Sequence, residues 1–154
     1  MGVVFEFIVR SEPRPQPRPR AARIAGKIRI YTPATASLYK AAVQAAAKES
    51  VPFSACPIDS PVHLGGEFVL RRPKRMKKHE CDIPHCNKPD IDNLMKSTLD
   101  GMVDAGIFRD DCIVCSVEMT KRYANEGEAS HARIVIRVEE PEDLDKIKEL
   151  EVEP

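Results

Sequence analysis

The chain has 154 residues, 31% of them charged and 42% hydrophobic, and its 24 Lys and Arg equal its 24 Asp and Glu. That length suits one domain around one core, and the apolar share excludes a disordered chain. No apolar run approaches the ~20 residues of a membrane helix, so no membrane partner is expected.

Residues 3–9 alternate, with Val3, Phe5, Phe7 and Val9 on one face, and read as a first strand. The same stretch carries Glu6 and lacks a basic n-region. A secretory leader is therefore not expected, and the cytoplasm is the expected compartment. Residues 13–20 hold four prolines and three arginines and read as an extended loop. Residues 23–31, with Ala25-Gly26 near the centre, suggest a small hairpin arm. Thr32-Pro33 then opens an Ala-rich helix to about residue 49, with Thr as cap and Pro at the first helical position.

Residues 62–70 form a second strand, in which Gly65-Gly66 suggests a bulge. Six of the eight residues from 71 to 78 are Arg or Lys, and a loop continues to Lys88. A helix over 91–105 places Leu94, Met95, Thr98, Leu99, Met102 and Val103 on one apolar stripe, and Gly106 fits its stop. Two strands follow. Ile113, Cys115, Val117 and Met119 alternate with Ser116, Glu118 and Thr120; Ala132, Ile134, Ile136 and Val138 alternate with Arg133 and Arg137. Residues 123–130, polar and containing Gly127, suggest a hairpin between them. Residues 141–150 suggest a short acidic helix.

The order is β-α-β-α-β-β, with a basic arm after the first strand. It predicts an α/β chain of the α+β kind: a small mixed β-sheet with two helices packed on one face. Residues 1–154 read as one domain, with a basic arm at 13–31, a basic loop at 71–88 and an acidic tail or short helix at 140–154.

The zero net charge hides a dipole. Residues 1–40 carry eight Lys or Arg against two acids, a net +6, while residues 139–154 carry eight acids against two lysines, a net −6. Such segregation points to a basic face for a polyanion. The five cysteines, Cys56, Cys81, Cys86, Cys112 and Cys115, are an odd count and argue against a disulfide framework. Cys112 and Cys115 fall at an odd offset on the expected strand, hence on opposite faces, so a zinc site with Cys81, His85 and Cys86 is not expected. Cys115 is expected in the core and His85 in an exposed loop.

Asp90 and Asp92 stand where a loop meets a helix start. Capping and dipole compensation would explain one of them, but two acids two apart exceed what a cap needs. Lys96, four positions beyond Asp92, could be a helix-pairing partner. Asp110-Asp111 end the turn after this helix. If the fold brings these groups together, their chemistry is that of metal-assisted phosphodiester hydrolysis. Magnesium takes oxygen ligands, keeps waters and binds through one or two carboxylates plus substrate phosphate. Asp90, Asp92 and Asp111 could hold one or two ions, to activate water, orient the phosphate and neutralise the leaving oxygen. Lys96 would stabilise developing charge or position the phosphate. Arg71, Arg72, Lys74, Arg75, Lys77 and Lys78 are candidate DNA contacts, as are Arg14, Arg18, Arg20, Arg23 and Lys27 of the arm. Phosphate contacts would dominate such binding. Aromatic residues are 5% and Trp is absent, which disfavours extensive base stacking.

The run Lys88-Pro89-Asp90-Ile91-Asp92-Asn93-Leu94-Met95-Lys96, then Leu99-Asp100, Ala105-Gly106-Ile107-Phe108 and Asp110-Asp111, closely resembles the RusA family of Holliday junction resolvases. These are bacterial and prophage endodeoxyribonucleases. The likeness is tight over residues 88–114 and looser over 13–31. It implies that Asp90, Asp92 and Asp111 are the metal-binding catalytic acids and Lys96 the essential lysine. Asp111 is preferred to Asp110 because its offset from Asp92 fits the family pattern; Asp110 assists or only shapes the turn. The likeness also implies a homodimer that makes paired symmetric nicks, which suits two-fold symmetry. The expected function is a magnesium-dependent endodeoxyribonuclease, with manganese as the alternative ion, that resolves four-way DNA junctions in recombination and repair. The alternatives are a nuclease for other branched substrates or RNA, and a nucleic-acid-binding module whose acids are structural.

Overall fold

A computed structural model describes residues 2–31 and 34–139. The elements in chain order are β1 (Val3–Val9), β2 (Arg20–Ile24), β3 (Lys27–Tyr31), α1 (Ala34–Ser50), β4 (Val62–Leu70), α2 (Ile91–Asp104), β5 (Val114–Tyr123) and β6 (His131–Val138). The expected cap Thr32-Pro33 and the expected acidic helix over 141–150 lie outside the described residues.

The main sheet is mixed, in the order β1-β6-β4-β5, while β2 and β3 form a separate hairpin. Antiparallel pairs join β1 to β6 and β6 to β4; β5 lies parallel to β4. Along β4, Val62, Leu64, Phe68 and Leu70 alternate onto one face, and none is more than 3% exposed. They meet Phe7, Val9, Ile134 and Ile136 of the flanking strands, Tyr39, Val43 and Ala47 of α1, and Leu94 and Met102 of α2 in one core. Both helices therefore cover the same face, as the apolar stripes predict. Each large apolar side chain so buried is worth about 1.5–3 kcal/mol.

The helices touch through small and polar groups. A Cβ at Gly101 would lie 2.8 Å from Val43 Cγ1, so the glycine lets α2 approach α1. The buried Tyr39 hydroxyl lies 2.9 Å from Thr98 Oγ1. Thr98 itself donates to the Leu94 carbonyl at 2.9 Å, which leaves Tyr39 as the donor between them. Burial pushes the Tyr39 phenol well above its ordinary pKa, so it stays neutral.

The opposite face of the sheet carries ion pairs among the apolar side chains Val4, Ile8, Val69 and Val135. Glu6 pairs with Arg133 at 2.6 Å, and Arg122 joins Glu67 at 3.1 Å to Glu128 at 2.7 Å. Arg122 holds the Glu128 carboxyl down to about 2. A lowered carboxylate pKa stabilises the fold above the ordinary carboxylate range and ceases to do so as pH falls through about 2. The pair thereby closes the 124–130 loop on the sheet.

Several expectations are corrected. β5 and β6 do not form a hairpin, because β4 runs between them. Their connection instead passes the end of β4, where the Ala124 amide donates to the Leu70 carbonyl at 2.7 Å. Gly65-Gly66 does not form a bulge; the register shifts at Val62/His63, opposite Cys115. Gly66 serves close approach: at φ +142, a Cβ there would lie 1.9 Å from the Arg133 carbonyl oxygen. Cys112 sits in a single 3₁₀ turn over Asp111–Ile113, ahead of the strand. Cys115 is exposed rather than core, because β5 is an edge strand without a buried residue. His85 is half-buried against Tyr123, with ring centres 4.4 Å apart, rather than exposed. All five cysteines are free thiols.

Gly66→Ala should destabilise the protein by roughly 3 kcal/mol, through backbone overlap and strain. Urea unfolding monitored by circular dichroism measures it; an unchanged midpoint would remove the close-approach explanation.

Candidate active site

The loop after β4 folds back along β5. The His85 amide donates to the Lys121 carbonyl at 3.0 Å, and the Tyr123 amide to the Ile83 carbonyl at 2.9 Å. Lys121 then crosses to the start of α2. Its ammonium donates to the carbonyls of Asn87, at 2.8 Å, and Pro89, at 2.7 Å. The Asn87 amide donates to the Tyr123 hydroxyl at 3.0 Å. These bonds hold the turn that delivers Asp90. Sequence reasoning missed Lys121. Its signal is a lysine that follows Val117 and Met119 on the helix-side alternation of β5.

Asp90 occupies the position before α2, in extended backbone, yet its side chain makes no capping bond. It pairs with Lys88 instead, and the lysine's hydrogen bond holds its carboxyl below the usual range. Asp92 stands exposed in the first turn and accepts from the Asn93 amide at 2.9 Å. Lys96 turns away from Asp92 toward the C-terminal side. Its ammonium lies 3.2 Å from Asp100 and 3.5 Å from Asp111. Asp100 first, and then Asp111, raise the Lys96 pKa, so the ammonium is firmly charged. Asp100, one helical turn beyond Lys96, is a second residue whose part was legible only as an i,i+4 spacing.

The two adjacent acids divide in role. Asp110 accepts from the Cys112 amide at 2.8 Å and caps the 3₁₀ turn; that bond lowers its pKa. Asp111 opens the turn and faces Lys96. The fold thus brings Lys96 of α2 to Asp111 ahead of β5, 15 residues apart in sequence, while Asp90 and Asp92 make their own local contacts at the helix start. Among the described residues, no three His, Cys, Asp or Glu side chains are grouped to share an ion. Lysines stand among the acids, each relieving the repulsion of like charges. The donor set itself is all carboxylate oxygen, with Asp90 45% and Asp111 37% exposed to water. Such a set fits a hard divalent cation that retains part of its hydration.

Both basic segments reach the start of α2. The Gln16 amide donates to the Asn93 carbonyl at 3.1 Å, tying the proline-rich strut to the first turn of α2. Between them lies a cleft of about 680 Å³, lined among others by Arg14, Arg18, Arg71, Lys88, Asp90 and Asn93. Arg20, Arg23 and Lys27 extend into the hairpin, exposed. Arg71, Lys74, Arg75, Lys77 and Lys78 are also exposed. Arg72 differs from the expectation of a DNA contact. Its guanidinium donates to the Glu80 carbonyl at 2.9 Å and the Ala124 carbonyl at 3.3 Å, and pairs with Glu126 at 3.7 Å. With 13% of its side chain exposed, it folds the loop rather than facing solvent.

Because Lys88 lowers the Asp90 pKa, Lys88→Ala should raise it toward the ordinary carboxylate value. A carboxyl-detected NMR titration reads this directly; an Asp90 titration that does not move would mean that the pair is not formed in solution.

A family model described as endodeoxyribonuclease RusA matches residues 11–139. No curated protein matches. The match takes in the arm, the basic loop, α2 and the turn at Asp110-Asp111. Enzymes of this family hydrolyse DNA phosphodiester bonds, resolve Holliday junctions and are generally divalent-metal dependent. The chain belongs to the RusA endodeoxyribonuclease family.

Proposed function

We propose that this protein is a magnesium-dependent endodeoxyribonuclease that resolves four-way DNA junctions, as a homodimer making paired symmetric nicks in the cytoplasm. The observation that carries the proposal is the 3.5 Å approach of Lys96, on the helix that opens at Asp90 and Asp92, to Asp111 at the turn before β5. A basic cleft opens beside Asp90. No described helix is long and apolar enough to cross a membrane.

Asp90, Asp92 and Asp111 are the residues that would hold the ion. When bound, it supplies activation of water and neutralisation of charge on the scissile phosphate. Lys96, kept charged by Asp100 and Asp111, is placed to donate to a phosphate oxygen as negative charge grows there. Lys88 offsets the charge of Asp90 toward an approaching strand. Lys121 fixes the backbone on which Asp90 rides, which limits the search for the productive geometry. Arg14, Arg18 and Arg71 line the cleft, and Lys74, Arg75, Lys77 and Lys78 extend the positive surface. Arg20, Arg23 and Lys27 carry that surface along the arm. Phosphate contacts of this kind fix register without reading sequence. Two like-polarity strands cut at symmetric positions call for two sites related by a two-fold axis.

Asp90→Asn, Asp92→Asn and Asp111→Asn should each lower cleavage of a synthetic four-way junction by roughly a thousandfold. Junction binding should survive, because the fold does not rest on these exposed charges. A variant that cuts like the wild type would remove that acid from the site; cleavage of flaps or forks in preference to the junction would redirect the substrate.

Lys96→Ala should reduce the turnover rate by roughly 10²–10³-fold, as does the loss of a donor to developing charge. Affinity measured by fluorescence anisotropy should change far less. Unchanged turnover would leave Lys96 as no more than the partner of Asp100.

A further inference from the structure

The β2–β3 hairpin presents apolar residues where none is needed for the fold. Ile28 and Ile30 are 73% and 75% exposed, the most open isoleucines described. By the register, Ile28 faces Arg23 and Ile30 faces Ala21, which puts all four on one face. Ile24, Lys27, Arg29 and Tyr31 share the other. Residues 13–31 hold six Arg or Lys and no acid. A surface for protein partners is depleted in charge at its centre. A surface for nucleic acid mixes cations with apolar side chains that can enter between bases.

The arm is also aimed. Its strut is tied to Asn93 in the first turn of α2, and Arg14 and Arg18 line the same cleft as Asp90. From that base a five-residue strand reaches about 17 Å, or roughly five base-pair steps. We propose that Ile28 and Ile30 form an apolar wedge that packs against unstacked bases at the branch point of the DNA, while Arg20, Arg23, Lys27 and Arg29 hold the flanking phosphates. The wedge rests on the junction reading given above and adds how the branch is recognised. Aliphatic side chains fill the gap left by opened base pairs without the aromatic stacking that this chain lacks. A linear duplex offers no such gap, so the wedge favours a branch over a duplex.

The test uses the full chain in chelator-treated buffer, so that no strand is cut, and a four-way junction with 2-aminopurine beside the branch. Wild-type protein should raise the 2-aminopurine fluorescence. The Ile28→Ser, Ile30→Ser double variant should lose most of that rise and bind the junction about tenfold more weakly, with duplex affinity kept within about twofold. Ile24→Ser, on the opposite face, should behave as the wild type. A double variant that matches the wild type, or an Ile24→Ser variant that falls as far, overturns the wedge and leaves the junction reading intact. A double variant that sediments as a monomer where the wild type is a dimer also overturns it, since the isoleucines would then join two copies. A wild type with no preference for junction over duplex overturns the junction reading, and the wedge with it.

Discussion

In the proposed reaction a DNA phosphate comes within bonding reach of Asp90, Asp92 and Asp111, and two like charges ~4 Å apart repel by about 4 kcal/mol at an effective dielectric of 20. That repulsion is the constraint around which the charges of this chain are arranged. Each side of the acid cluster carries its own lysine: Lys88 on Asp90, and Lys96 shared between Asp100 and Asp111. Arg14 and Arg18 of the strut and Arg71 of the loop line the cleft beside Asp90. Cations next to the acids lower the approach barrier at short range. The basic segments act at longer range, where salt screens them.

Such an arrangement requires a rigid frame, because point charges act over a few ångströms. The frame is β4, buried in the centre of the sheet, with α2 held against the same core by Leu94 and Met102. Burying one face of α2 fixes the rotation of the helix and so directs Asp92 and Lys96 outward. The same packing brings the middle of α2 to the 3₁₀ turn before β5, which closes the distance between Lys96 and Asp111. Lys121 completes the frame from the strand side. Its two bonds go to main-chain carbonyls, so it fixes the position of Asp90, and its charge adds to that of Lys88 in holding the Asp90 carboxyl low.

Elements that depend on local pattern were legible in the sequence. The alternation of Val3–Val9 and Val62–Leu70 and the stripe of α2 give strand and helix directly. What failed was non-local. A polar turn with Gly127 reads as a hairpin whether or not another strand lies between its arms, and β4 does lie there. Cys115 alternates with polar residues as a core residue would, but β5 is at the edge, and edge position is set by strand order alone. Gly65-Gly66 carries a bulge signal, yet what it meets is the backbone of Arg133. Residue types and spacing singled out Asp90, Asp92, Asp111 and Lys96, of which the fold brings Lys96 and Asp111 together. The parts played by Lys121 and Arg72 were hidden, because both bond to carbonyls distant in sequence. A basic run reads as uniform, although one of its six cations is turned inward to fold the other five outward.

The arm stands apart from this frame. A two-stranded hairpin alone is marginally stable in water, and this one carries cations on both faces that repel each other. Its turn is favourable, since Ala25 at φ 52 and Gly26 at φ 77 match the twist of the strands. If the arm binds DNA as proposed, phosphates between those cations would remove the repulsion and stabilise the hairpin by the ordinary linkage of ligand to structure. The strut transmits that order inward, because the Gln16 amide is bonded to Asn93, in the same helical turn as Asp92. One hydrogen bond and four prolines thus link the arm to the first turn of α2. Each proline restricts the backbone before any ligand arrives, so less conformational entropy is left to lose on binding.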